Sequence, residues 1–169
     1  MTAPNHIIGG ITFTGVFGSI IGFNIISDWR YLVVCFIASQ LPDIDHTKSL
    51  IGKSVLPLAK IINKRYGHRT ITHSLVCWLA LSLFAFFLQR TFFVDLYIAE
   101  VFTLAYFSHL LFDCMTVMGV PLLYPLIKNA CVLPGNPSMR IRTSSIRQES
   151  IVFCVFIVSF IFFQPLMST

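Results

Sequence analysis

The chain has 169 residues, of which 56% are apolar and only 11% are charged, and its mean hydropathy is +0.79. Because a soluble domain carries about 25% charged residues, this composition excludes a water-soluble globule and predicts one integral membrane domain over residues 1–169. The excess of 12 Lys and Arg over 7 Asp and Glu is typical of the cytoplasmic loops of a membrane protein and does not indicate nucleic-acid binding.

The first predicted membrane span is the apolar run His6–Ile26. It is long enough to cross a hydrocarbon core of about 30 Å at about 1.5 Å per residue. Gly18 and Gly22 form a GxxxG step within it, and this spacing predicts the close approach of another helix.

The second apolar run, Tyr31–Leu41, is short for a span. Its helix is expected to end near Gln40, because Pro42 disfavours helical geometry at the residue before it. In the basic segment His46–Arg69 that follows, aliphatic residues recur at intervals of three and four. This periodicity predicts an amphipathic helix that lies either on the membrane surface or on the protein itself.

Three further apolar runs complete the chain, at about Ile71–Gln89, Leu96–Cys114 and Ile151–Leu166. A tight turn, Arg90–Asp95, joins the first two of these runs, and a loop rich in Pro and Gly, Val117–Ser145, precedes the last. The sequence therefore predicts an all-α, polytopic membrane helix bundle of about five transmembrane helices, with one additional amphipathic helix.

The distribution of Lys and Arg predicts how the bundle is oriented. With the amino terminus inside the cell, only Arg30 and Arg90 fall in the outer turns, and the other Lys and Arg residues fall in inner segments. This positive-inside pattern predicts an N-in, C-out topology with the amphipathic helix on the cytoplasmic face.

All the histidines and three of the aspartates fall at the predicted inner ends of the spans. They are His6, Asp43, Asp45, His46, His68, His73, His109 and Asp113. Imidazole nitrogen and carboxylate oxygen are ligands that suit zinc, manganese or iron. An ionised carboxylate at hydrocarbon depth costs about 2.5–3.5 kcal/mol, which a bound cation would offset. The convergence of these donors predicts a metal site on the cytoplasmic side.

Each donor taken alone has a simpler interpretation. His6 could be an interfacial residue, and Asp43 could cap a turn. His109 and Asp113, four residues apart on one helix face, could be a hydrogen-bonded pair that ties helices together. His46 is expected to be a solvated loop residue or a group that supports a ligand. The prediction of a metal site therefore rests on the set and not on any single residue.

Three sequence blocks carry a family resemblance: LPDIDH at 41–46, GHRTITHS at 67–74, and SHLLFD at 108–113 followed by GVPLLYP at 119–125. In this order they resemble the YdjM family of bacterial inner-membrane proteins, described as metal-dependent hydrolases. The resemblance covers about residues 1–165 and implies a multi-pass protein of the bacterial inner (cytoplasmic) membrane. The family is grouped at a distance with the zinc phospholipase C and single-strand nuclease superfamily, in which histidines and aspartates hold a zinc cluster that cleaves phosphoesters.

By position, the resemblance implies a set of metal ligands: His6, Asp43 or Asp45, His68, His73, His109 and Asp113. His109 and Asp113 match the HxxxD block of that superfamily. Two departures matter: Thr70 stands where the family often has Gly, and no His follows Asp113, after which Glu149 is the only acidic residue. Because the later ligands of a three-zinc cluster are missing, we expect one or two divalent ions, zinc first and manganese or iron next.

The predicted function is metal-assisted hydrolysis of a phosphoester or lipid-like substrate at the cytoplasmic face of the bilayer. In this hypothesis the ion lowers the pKa of water to near ~7, and Asp43 or Asp45 bridges ions or accepts the proton. Arg69 clamps a phosphate oxygen or merely anchors the loop at the membrane. Two alternatives stay open: a metal or ion transporter, and a non-enzymatic membrane protein with a structural metal site.

Overall fold

A computed structural model describes residues 1–92, 96–143 and 145–167, so Asp95 of the predicted outer turn lies outside the described residues. The regular elements in these ranges are helical, which confirms the predicted all-α class. The α-helices are α1 (Ala3–Ile21), α2 (Trp29–Gln40), α3 (Leu50–Ser54), α4 (Leu56–Tyr66), α5 (Leu75–Thr91), α6 (Ile98–Cys114) and α7 (Ile146–Met167). Short 3-10 turns occupy Leu41–Asp45, Ile71–His73 and Pro137–Met139.

The helix ends follow local sequence signals. The Asp28 side chain caps α2 by accepting a hydrogen bond from the Arg30 N–H at 2.8 Å. This helix ends at Gln40, as Pro42 predicts, and the chain continues into the 41–45 turn. The Ser74 side chain caps α5 by accepting from the Cys77 N–H at 3.2 Å, so the predicted third span begins only after the 71–73 turn.

The GxxxG step in α1 does not receive another helix, and that prediction is wrong. Gly22 ends α1 in the left-handed region, with φ of 107°, and a Cβ added there would meet nothing within 4 Å. A Cβ at Gly18 would lie 2.6 Å from the ring of Phe23, the residue that directly follows Gly22. These glycines therefore form the turn that ends the helix.

Close helix approach occurs instead at Gly9 and Gly10. A Cβ at Gly9 would lie 2.6 Å from the Phe112 ring of α6 and 2.8 Å from the Phe156 ring of α7. A Cβ at Gly10 would lie 3.0 Å from the Ser39 side chain of α2. The missing side chains let three helices pack directly on the first half of α1.

Helix α6 lies at the centre of the bundle and packs against α1, α2 and α5, while α1 also contacts α2 and α7. A hydrogen bond from Gln40 to the Ala3 carbonyl joins the end of α2 to the start of α1. Another, from Tyr106 to the Thr72 carbonyl, joins the later part of α6 to the turn before α5. These four parts of the chain lie at the same end of the bundle. We call this the polar end. At the opposite end α5 finishes and α6 begins.

The amphipathic segment forms two short helices rather than one. Helices α3 and α4 meet at Val55, and both pack against the 41–45 turn. Helix α4 buries Ala59 fully and leaves Leu58 and Ile61 exposed. The Asn63 side chain donates to the Asp45 carbonyl at 2.9 Å. One face of α4 therefore covers the protein, and apolar side chains remain outside.

Within the described ranges, one helical stretch, Ile146–Pro165, is long and apolar enough to cross a membrane, and α5 is apolar but shorter. The five spans and the N-in, C-out topology therefore remain predictions. Large apolar side chains are exposed along both helices, among them Leu83, Phe87, Val158 and Ile161.

Candidate metal site

Four separate segments bring histidine and aspartate side chains together at the polar end. Helix α1 supplies His6, the 41–45 turn supplies Asp43, the 71–73 turn supplies His73, and α6 supplies His109 and Asp113. The side chains of all but Asp43 have no solvent exposure, and that of Asp43 is 17% exposed. The structure thus gathers five of the predicted ligands in one buried cluster.

Four donor atoms of this cluster form a closed ring in which oxygen and nitrogen alternate. Asp43 Oδ1 lies 3.5 Å from His73 Nε2, which lies 3.6 Å from Asp113 Oδ2. Asp113 Oδ2 lies 3.8 Å from His109 Nε2, which lies 3.9 Å from Asp43 Oδ1. We call these four atoms the donor ring.

The edges of the donor ring are slightly longer than the spacing of two ligands on one metal ion. The donors within reach of a common ion form two candidate groups of three, namely His6, His109 and Asp113, and Asp43, His73 and His109. Two ligands bound at about 2.0–2.2 Å to a tetrahedral zinc ion lie about 3.3–3.6 Å from each other. The observed edges of 3.5–3.9 Å exceed this range by a few tenths of an ångström at most. Buried His and Asp groups at this position could therefore hold a metal ion.

The hydrogen bonds of two histidines leave Nε2 free to bind a cation. His109 Nδ1 donates to the Ser39 carbonyl at 2.6 Å. The Thr72 hydroxyl donates to Asp45 Oδ2 at 2.9 Å, so its oxygen accepts from His73 Nδ1 at 3.1 Å. In its neutral form, each ring therefore carries the lone pair on Nε2. Histidines that bind metals almost always donate through the other nitrogen in this way.

Several of the donor atoms have no hydrogen-bond partner within the described part of the chain. They are Nε2 of His6, His73 and His109, and Oδ2 of Asp113. Most buried polar groups in native proteins are paired. Because His6 Nε2 and Asp113 Oδ2 have ion-pair neighbours at 3.2 Å and 3.0 Å, the Nε2 atoms of His73 and His109 are the ones that indicate a missing ligand.

Asp113 contacts more positive groups than any other member of the cluster. Its Oδ1 lies 2.6 Å from the Met1 amino group and 3.2 Å from His6 Nε2, and its Oδ2 lies 3.0 Å from Arg69 Nη2. The His6 ring stacks on His109 with 3.6 Å between centroids. His6 therefore stands beside the donor ring, in contact with two of its members.

Asp45 lies behind the donor ring and uses both of its oxygens elsewhere. Its Oδ1 accepts from His68 Nδ1 at 2.9 Å, and its Oδ2 accepts from the Arg69 N–H at 2.7 Å as well as from Thr72. These bonds hold Arg69 in the left-handed region, with φ of 58°. The structure places Asp45, predicted as a ligand or catalytic group, where it organises the loop that carries His73.

His68 and His46 lie on the outer side of Asp45. The His68 side chain is 37% exposed, and its ring centroid is 6.0 Å from that of His73. His46 packs edge-on against His68 at 4.6 Å, and partial burial together with the neighbouring His68 lowers the pKa of His46. His68, predicted as a ligand, is thus outside the groups of donors that could share an ion.

Asp43 is positioned to act as an anion at neutral pH. Burial opposes ionisation of its carboxyl group, but the positive charge that the His109 and His73 rings carry when protonated outweighs burial and lowers the pKa of Asp43 below its usual value. The Ser49 hydroxyl also donates to the Asp43 carbonyl at 2.7 Å, which fixes the turn.

Sequence reasoning missed two supporting groups. The Ser39 carbonyl that orients His109 is a backbone group, and no side-chain pattern indicates it. Thr72 directly precedes His73, and only the tertiary contact with Asp45 reveals its role. Glu149, the last acidic residue, accepts hydrogen bonds from Thr2, which directly precedes α1, and lies outside the donor ring.

The chain matches one family model over nearly its whole length and is similar to three curated proteins over part of it. The family model described as "YdjM inner membrane protein" matches residues 1–168. "Uncharacterized protein YvsG" of Bacillus subtilis is 34% identical over 125 residues, which are 74% of this chain and 74% of that protein. "Inner membrane protein YdjM" of Escherichia coli and that of Shigella flexneri are each 41% identical over 101 residues, 58% of this chain and 51% of each relative.

The chain thus spans about half the length of the two curated relatives that are named YdjM. No solved structure matches it. The match of the family model to nearly the whole chain agrees with the resemblance of the three sequence blocks. The chain belongs to the YdjM inner membrane protein family.

Proposed function

We propose that the chain is a membrane-embedded, metal-dependent hydrolase that binds one divalent ion in the donor ring. The single observation that carries this proposal is the ring itself, whose four edges measure 3.5–3.9 Å and whose Nε2 atoms have no other partner in the described ranges. Two nitrogens and two oxygens suit zinc first, and manganese or iron next. Because the ring supplies four ligands, hydrolysis would require the ion to take water as a fifth ligand.

One ion fits the donors better than two. The two candidate groups, one with His6 and Asp113 and one with Asp43 and His73, both need His109. His109 has one free nitrogen, because its Nδ1 donates to Ser39. An imidazole nitrogen binds a single ion, so the two groups compete for the same ligand.

The residues around the ring divide the work of hydrolysis. A divalent ion supplies a Lewis acid that polarises the scissile group and makes water nucleophilic near neutral pH. Asp43 has the only partly exposed carboxylate of the ring. We therefore propose that water enters the site beside Asp43 and that this carboxylate accepts the proton of the water. Arg69 is 14% exposed and its Nη2 contacts Asp113. Its Nε has no partner among the described residues, so we assign this edge of the guanidinium to a phosphate oxygen. Asp45 keeps Arg69 and His73 in place.

The membrane setting favours an amphiphilic substrate. The family is one of inner membrane proteins, and the predicted N-in, C-out topology of five spans places the polar end at the cytoplasmic surface of the bilayer. The exposed apolar residues Leu58 and Ile61 of α4 lie on the helix that covers the 41–45 turn. We therefore propose a phosphoester of lipid-like character as the substrate.

A structural metal site is the second candidate function. The Met1 amino group and Arg69 already contact both oxygens of Asp113, so a metal there could serve only to bind four segments together. A site of that kind would hold the ion without turnover.

The test joins metal content with turnover. Purified protein in detergent would be analysed for zinc, manganese and iron, and then assayed for release of phosphate or head group from phospholipid vesicles with each metal. We expect about one ion per chain and hydrolysis by the wild type, with both lost in His109→Ala and both kept in Glu100→Gln, a carboxylate at the opposite end. Bound metal without hydrolysis of any phosphoester would support the structural site instead.

A further inference from the structure

A second polar cluster joins α1 to α7 beside the metal site. Glu149 Oε2 accepts from the Thr2 N–H at 3.2 Å, from the Thr2 hydroxyl at 2.8 Å and from the Asn5 side-chain amide. The same amide donates to the Glu149 carbonyl at 3.1 Å. Asn5 is 1% exposed and Glu149 is 7% exposed. Thr2 is exposed, so the cluster joins a buried pair to the surface, and it contributes nothing to the donor ring.

Two oxygens of this cluster remain without a hydrogen-bond partner in the described ranges, namely Asn5 Oδ1 and Glu149 Oε1. Both atoms accept hydrogen bonds and donate none, so only an N–H or O–H donor or a cation can satisfy them. Leaving a buried acceptor unsatisfied is unfavourable, and more so when the acceptor is charged. A ligand that satisfies both atoms must therefore carry N–H or O–H donors, and a positive charge would favour it beside the Glu149 carboxylate.

The shape of the neighbouring cavities indicates what kind of cation this is. Asn5 and Glu149 line a cavity of about 340 Å³ whose other walls include Pro4, Ile146 and Phe153. This volume far exceeds that of a bare ion, and most of its wall is apolar. A ligand that fills it must carry apolar surface next to its positive group.

A second cavity extends the first one along α7. It has a volume of about 430 Å³, shares Ser150 and Cys154 with the first cavity and continues past Val155 and Val158 to Ser159. The nine helical steps from Ser150 to Ser159 correspond to about 13.5 Å. The two cavities form one groove, polar at the start of α7 and apolar along its length. We call it the α7 groove.

We propose that the α7 groove binds an aminophospholipid, with the primary ammonium group at Glu149 and Asn5 and an acyl chain along α7. A primary ammonium carries three N–H donors and a positive charge, which match the unpartnered oxygens of Asn5 and Glu149 at the start of the α7 groove. The quaternary ammonium of phosphatidylcholine is positively charged but has no N–H donors. The glycerol head group of phosphatidylglycerol has hydroxyl donors but no positive charge. The membrane of this protein family supplies the lipid. The inference does not depend on metal binding or hydrolysis.

The test measures which lipids the purified chain retains. Wild-type protein in detergent would be given equal amounts of phosphatidylethanolamine, phosphatidylcholine and phosphatidylglycerol with identical acyl chains, and bound lipid would be counted by native mass spectrometry. We expect a preference for phosphatidylethanolamine of about tenfold or more, the value of one charge-assisted hydrogen bond. Glu149→Gln should abolish this preference, and Glu100→Gln should keep it.

A second variant tests the apolar half of the groove without touching the polar cluster. Val155 is 54% exposed, so Val155→Trp should fold normally while it fills the groove and lowers retention of phosphatidylethanolamine. Equal retention of the three lipids by the wild type, or an unchanged preference in Glu149→Gln, would overturn the proposal. Full competition by soluble phosphoethanolamine together with unchanged binding in Val155→Trp would show a site for small amines and would also overturn it. None of these results depends on metal content.

Discussion

Both ends of the bundle hold polar side chains among apolar helices, but the two ends differ in whether those side chains have hydrogen-bond partners. At the opposite end, the Gln89 amide donates to Glu100 Oε2 at 3.1 Å and its oxygen accepts from the Ala99 N–H at 2.6 Å. At the polar end, Nε2 of His73 and of His109 has no hydrogen-bond partner within the described part of the chain. Buried polar groups are therefore common to both ends, and the unpartnered imidazole nitrogens distinguish the end at which we propose a metal site.

The largest expected effect is the difference in zinc affinity between a variant at the polar end and a variant at the opposite end. His109→Ala removes the ligand that both candidate groups share, and we expect the affinity for zinc to fall by more than about 100-fold, beyond the loss typical of supporting residues. Gln89→Ala, the matched change at the opposite end, should leave zinc affinity unchanged. Zinc titration monitored by a competing chelator measures both variants. Equal losses in the two variants would remove the distinction between the ends.

The next effect concerns stability. Asp113→Asn leaves the Met1 amino group and the Arg69 guanidinium without their buried carboxylate. Removing one partner of a buried ion pair costs about 3–5 kcal/mol, so the free energy of unfolding in detergent should fall by about that amount. Glu100→Gln, whose partner is a neutral amide, should cost about 1 kcal/mol. Chemical denaturation of both variants measures the difference, and a larger loss for Glu100→Gln would contradict it.

A smaller change in metal affinity is expected at Asp45. Because its oxygens bind His68, Arg69 and Thr72, Asp45→Asn should weaken zinc binding by about 10–100-fold, as for other residues that support metal ligands. The same chelator titration measures this effect. A loss as large as that of His109→Ala would instead make Asp45 a direct ligand, as the sequence allows.

The smallest effect tests the packing that brings the polar end together. Gly9→Ala places a methyl group within 2.6 Å of the Phe112 ring, and overpacking of this kind costs about 1–3 kcal/mol. Gly135→Ala, where an added Cβ would meet nothing within 4 Å, is the control and should be close to neutral. Thermal unfolding compares the two variants. Identical unfolding temperatures would show that α1 can shift away from α6 without cost.

The sequence predicted the all-α class, the end of α2 and the convergence of donors, because apolar runs, Pro42 and donor position along a helix are local signals. It could not separate Asp43 from Asp45. The two lie two residues apart in one 3-10 turn, and only the contacts of the 71–73 turn decide which faces the ring. It also misjudged the glycines of α1, since GxxxG spacing is equally compatible with a helix end.

The most direct test of the account is the position of the metal itself. X-ray absorption on the zinc-loaded protein should show one ion per chain with nitrogen and oxygen ligands at about 2.0–2.2 Å. The nitrogen signal should weaken in His73→Ala and stay unchanged in His46→Ala, whose ring lies outside the donor ring. Absence of stoichiometric zinc, or a nitrogen signal that depends on His46 and not on His73, would contradict the donor ring as the site of metal binding.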